Sequence, residues 1–293
     1  MATAVEPTDS TAIRRGQSLV SHGLLGLGLV GLAAGLAADS LLGPLAAETF
    51  EFPITETLRN QMIGLDAVSL LVVAPLAVVA GVLALRGRVL GQALALGIGA
   101  YTAYMFVQYA LGPQFGELPG DSQALFPLYL VLFALGWIVA LGAWNGIDPG
   151  RLPSDRRRDL AVGRFVLPVL AFLAFFRYLP ALADATSASP QDEGYLAGPT
   201  FFWAIALMDL GILLPATVAA CYGLVRGAAW GQKALYLVAG WFGLVGPAVA
   251  GMAIAMYVND DPVASGVNVV VMTVLGALFA ALAVAVYLPL LRR

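Results

Sequence analysis

The chain has 293 residues, of which 60% are hydrophobic and 11% charged, whereas a typical soluble domain is about 25% charged. Mean hydropathy is +0.86, net charge is −3 and the pI is near 5.1. These values exclude a soluble globular enzyme, a disordered chain and a basic nucleic-acid-binding domain. They leave a multi-pass membrane protein whose first partner is the lipid bilayer.

A bilayer core of about 30 Å takes about 20 apolar residues per helix. Polar residues 1–16 read as a disordered tail. Eight apolar stretches follow, at roughly 19–41, 63–85, 89–111, 124–146, 165–185, 199–225, 234–257 and 266–290. The first is too long for the core of a signal peptide and lacks a small-residue cleavage site, so it reads as a span. Glycine recurs in these stretches, as expected where helix backbones pack closely in lipid.

Orientation follows from the basic residues. Thirteen of the fifteen Arg and Lys fall on one side, among them Arg86, Arg88, Arg156, Arg157, Arg158, Arg226 and Lys233. Arg59 stands on the other side and Arg177 lies within a span. Both termini are therefore expected in the cytoplasm, in the plasma membrane of a prokaryote. The opposite loops are acidic, with Glu117, Asp121, Asp192, Glu193, Asp260 and Asp261.

The second and sixth stretches echo one another. Pro75 precedes Arg86-Gly87 by the same eleven residues that separate Pro215 from Arg226-Gly227, and Gly91-Gln92 matches Gly231-Gln232. The offset is 140 residues. Four spans per half give both halves the same orientation, hence a parallel repeat about an axis along the membrane normal. The expected fold is an all-α transmembrane bundle of eight helices in two parallel four-helix halves, 17–147 and 165–293, joined by a polar cytoplasmic linker at 148–164.

Ionisable groups inside a membrane are costly and are the first candidates for function. Asp66 lies early in the second stretch, Asp209 midway in the sixth and Arg177 in the fifth. Arg177 stands about 12 residues, roughly 18 Å, from the cytoplasmic end of its span, which puts the three at similar depth. Tyr101 and Tyr104 in GAYTAYMFVQYALG share a helix face, and their hydroxyls need partners in lipid, Asp66 being one choice. Tyr109, Tyr129 and Trp203 read as an interfacial aromatic belt. Pro75 and Pro215 are expected to kink their helices. A plain salt bridge between Arg177 and an aspartate is the bland alternative.

Enzyme chemistry has little to stand on. There is one histidine, His22, and one cysteine, Cys221. A zinc or haem site with several such ligands is excluded, as is an intrachain disulfide, and no metal or cofactor is expected. Asp155 and Asp159 have DxxxD spacing but sit in an Arg-rich loop, where i,i+4 charge pairing is the simpler reading. No Gly-x-Ser-x-Gly, His-Glu-x-x-His or phosphate-binding loop is present.

Asp66 with the following LLVVAPLAVVAGVLALRGR, then GAYTAYMFVQYALG, then LFPLYLVLFALGW, and in the second half Asp209-LGILLPATVAACYGLVRG with Gly231-Gln232, resemble a family of uncharacterised prokaryotic eight-span membrane proteins. The resemblance covers roughly 60–145 and 199–257. It implies the two-half architecture and points to Asp66, Tyr101, Tyr104 and Asp209, and it carries no established activity. Arg177 departs from that pattern, where an aromatic or apolar residue is expected.

The sequence thus leads to a membrane protein that binds or transports an ion or small solute through a polar pocket in the outer half, built from Asp66, Tyr101, Tyr104, Arg177 and Asp209. The alternative is a non-catalytic accessory subunit held by other membrane subunits.

Overall fold

The computed structural model describes residues 10–46 and 49–292, with side chains from His22 onward. Among the described residues, eight helices are long and apolar enough to cross a membrane: His22–Leu42, Glu56–Leu85, Val89–Leu111, Ser122–Gly146, Arg156–Ala185, Pro199–Arg226, Ala229–Val258 and Gly266–Leu291. Such a chain is a multi-pass membrane protein. The first helix extends back to Ser10, inside the segment expected to be a disordered tail. Residues 1–9 of that segment, Glu48 and Arg293 lie outside the described residues.

The expected linker 148–164 is shorter in the structure, because the fifth helix already begins at Arg156. Asp155 caps it by accepting from the Arg157 backbone N–H at 2.9 Å. Asp159 is buried and accepts from the Gln232 side-chain amide at 2.6 Å and the Ser154 hydroxyl at 3.0 Å. The DxxxD pair is therefore a helix cap followed by a buried tie to the seventh helix, in place of the expected i,i+4 pairing.

Among the described residues, three helices carry a π-helical turn: Ser69–Val73 in the second, Val162–Val166 in the fifth and Asp209–Leu213 in the sixth. Each begins six residues before a proline, at Pro75, Pro168 and Pro215. A proline has no N–H and its ring crowds the carbonyl four residues back. Widening the preceding turn relieves that crowding within a continuous helix.

The second and sixth helices also end alike. Gly87 and Gly227 adopt φ of 68° and 67°, a left-handed conformation that favours glycine. The turn hydrogen bonds match at the same 140-residue offset: Gly87 to Ala84 and Arg88 to Leu83, against Gly227 to Leu224 and Ala228 to Gly223.

The third and seventh helices form the centre, with 72% and 56% of their apolar windows buried, against 17% for the eighth. The seventh packs on both the second and the third, and this contact is made backbone to backbone. Gly64 abuts Gly251, and a Cβ placed on Gly97 would lie 2.6 Å from the Gly240 Cα. Small residues let the backbones approach where lipid supplies no hydrophobic drive. The first and fourth helices pack together, whereas no comparable packing joins the fifth and eighth.

Candidate functional site

Asp209 opens the π turn of the sixth helix and is 7% exposed. A buried carboxyl group is stable only when its oxygens are hydrogen-bonded. Two tyrosines do this from different helices. The Tyr104 hydroxyl of the third donates to Oδ1 at 2.7 Å, and the Tyr178 hydroxyl of the fifth donates to Oδ2 at 2.6 Å. Arg177 extends the chain: its guanidinium lies 4.8 Å from the Tyr178 ring centre and reaches the Tyr178 hydroxyl at 3.4 Å. The expected direct salt bridge is thus replaced by a relay through Tyr178. The helix is interrupted at Phe176–Arg177, which lets consecutive residues 177 and 178 serve one network.

This network forms one wall of a cavity of about 370 Å³. Gln61 and Gln108 add polar groups, Asn268 contributes from the eighth helix and Asp192 from the loop before the sixth. The remaining wall is largely apolar, including Met105, Phe201, Phe202, Met252 and Met272. The cavity draws on both the fifth and eighth helices, the pair that does not pack together.

Of the five candidate residues, Tyr104, Arg177 and Asp209 line this cavity. Asp66 and Tyr101 belong to a second cluster. Leu65 faces the cavity while its neighbour Asp66, about 100° further round the helix, turns toward the end of the first helix. Asp66 accepts through Oδ1 from the Tyr109 hydroxyl, and the Tyr101 hydroxyl shares a 2.8 Å hydrogen bond with Ser69. Asp66 is therefore not the partner of Tyr101 or Tyr104. Tyr109 and Tyr129 are buried against Phe106 and against each other, so they are not belt residues. Trp203, 41% exposed, remains at the surface.

Two functional candidates escaped the sequence. Tyr178 was hidden behind its charged neighbour. Asp39, only 3% exposed, is the one acidic residue inside the first apolar stretch, and that position was its signal. Compared with known protein families, curated proteins and solved structures, the chain matches none, so the family resemblance rests on its sequence motifs alone.

Proposed function

We propose that this protein binds a small amphiphilic solute in the cavity bounded by Asp209. The observation that carries the reading is the Tyr104–Asp209–Tyr178–Arg177 chain at the wall of a 370 Å³ space that is otherwise mostly apolar. Few polar groups that fix orientation within an apolar lining are the usual anatomy of a small-molecule site. The absence of close packing between the fifth and eighth helices, among the described residues, favours entry from the bilayer side. The excess of Arg and Lys at the opposite ends of the spans supports placing the cavity in the outer half of a prokaryotic plasma membrane, with both termini inside. The matched π turns, prolines and left-handed glycines at 140-residue spacing support two parallel halves. Transport follows if the occupied cavity opens to the other side.

The test is thermal unfolding of the full chain in lipid nanodiscs with medium-chain carboxylates, alcohols and amines of matched length. One head-group class should raise the melting temperature, because a ligand of the native state stabilises it. Asp209→Asn and Arg177→Gln should abolish the rise. No rise with any class, or a rise that both variants keep, overturns the reading. The accessory-subunit alternative draws on the eighth helix, the least buried of the eight, and a stoichiometric co-purifying membrane protein would favour it.

A further inference from the structure

Behind the cavity lies a second polar cluster that the solute reading does not use. Asp39 and Asp66 are 3% and 1% exposed, and Asp66 Oδ2 lies beside Gly43, one helical turn beyond Asp39. Asp39 Oδ1 and Asp66 Oδ2 have no hydrogen-bond partner among the described residues. Neither carboxyl group takes part in a salt bridge among the described residues. Like charges this close cannot both remain ionised in a low-dielectric interior without a positive charge between them.

Two independent features turn toward the same place. The first helix ends at Leu42, and a Cβ on the next residue, Gly43, would lie 3.0 Å from Asp66 Oδ2. The negative end of a helix dipole therefore adds to the carboxyl groups. Tyr129 is 3% exposed and its hydroxyl has no hydrogen-bond partner among the described residues. Its ring packs edge-on against Tyr109, which itself donates to Asp66.

The structure assigns to this cluster, we propose, a binding site for one small monovalent cation of the sodium class, held by Asp39 Oδ1, Asp66 Oδ2 and the Tyr129 hydroxyl. All the free ligands are hard oxygens, which excludes the soft metals that prefer thiolate or imidazole. No group of three or more His, Cys, Asp or Glu is placed to hold a metal among the described residues, so the site lacks the carboxylate-rich oxygen set that calcium takes. The buried rings of Phe106, Tyr109 and Tyr129 pack together beside Asp66, an apolar setting for an ion stripped of most of its water.

The probe is sodium itself. The full chain is unfolded thermally at constant ionic strength and fixed alkaline pH, with sodium chloride replaced stepwise by choline chloride, and bound sodium is counted by equilibrium dialysis with the radiolabelled ion. The expected result is a saturable rise in melting temperature and one sodium per chain. Asp39→Asn and Asp66→Asn abolish both. Tyr129→Phe, which keeps the packing, raises the half-saturating concentration about tenfold, the equivalent of one lost oxygen contact. Asp209→Asn retains the sodium response, which separates this site from the solute cavity. Equal melting temperatures in sodium and choline overturn the proposal. So does a response to pH alone, which would make the pair a proton-sharing carboxyl dyad, or full sodium binding by Asp39→Asn. Should Asp66→Asn fail to fold, Asp39→Asn and Tyr129→Phe decide the matter.

Discussion

Ser69 and Asp209 occupy the same place in two different helices. Each opens a π turn six residues before a proline, and each side chain hydrogen-bonds a tyrosine hydroxyl of the third helix, Ser69 to Tyr101 at 2.8 Å and Asp209 to Tyr104 at 2.7 Å. Those tyrosines are three residues apart, one turn of one face. A single turn of the third helix therefore anchors the distorted segments of both the second and the sixth.

The two anchors differ in chemistry, and so should their removal. Tyr101→Phe deletes a neutral hydroxyl–hydroxyl contact, worth about 0.5–1.5 kcal/mol net. Tyr104→Phe or Tyr178→Phe deletes one of two donors to a buried carboxyl group, a contact of about 1.5–3 kcal/mol when that group is charged. Melting temperatures should fall further for Tyr104→Phe than for Tyr101→Phe. A double-mutant cycle of Tyr104→Phe with Asp209→Asn should show coupling of about 0.5–3 kcal/mol. Equal losses at the two tyrosines, or strict additivity, would contradict the hydrogen-bond geometry.

The glycine contacts at the centre predict a contrast of sign. Gly97→Ala drives a Cβ into the Gly240 backbone, which cannot yield as a side chain would. The cost should be about 1–3 kcal/mol, as for other overpacked cores. Gly142→Ala lies on the fourth helix with nothing within 4 Å of the new atom. There the loss of glycine's backbone freedom should stabilise the chain by about 0.5–1 kcal/mol. Unfolding of both variants under one set of detergent conditions checks the pair.

Topology is testable by labelling. In a Cys221→Ala background, Arg157→Cys sits on the Arg-rich side and Ala188→Cys in the loop between the fifth and sixth helices, both exposed. A membrane-impermeant maleimide added to whole cells should modify position 188 and spare 157 until the cells are lysed. The reverse pattern would invert the orientation.

The eight helices were legible because a bilayer demands length and apolarity, and both are written directly in composition. The third helix, read at 89–111, has those same bounds in the structure. The fifth was read nine residues late because Arg156, Arg157 and Arg158 look like a loop. Asp155 caps the helix they begin, and Asp159 ties it to Gln232 across 73 residues of sequence. The prolines announced a distortion without stating its form, since a kink and a π turn share one signature. Asp66 and Asp209 were visible as charges in apolar stretches, but which tyrosine each engages depends on helix rotation about the long axis. Apolar residues all round a helix carry little information on that rotation. Asp39 was overlooked for a simpler reason: it lies near a helix end, where an acidic residue looks like part of a loop.

Tyr287 of the eighth helix has one hydroxyl within hydrogen-bond distance of two backbone carbonyls, Ala93 of the third helix at 3.1 Å and Tyr236 of the seventh at 2.8 Å. At its closest approach the seam between those two helices is glycine on glycine, Gly97 against Gly240, with Tyr104 and Trp241 packed edge-on beside it. A proton that serves either carbonyl in turn is a latch with two catches. Any slip of the third helix along the seventh must first loosen that one hydroxyl from a carbonyl.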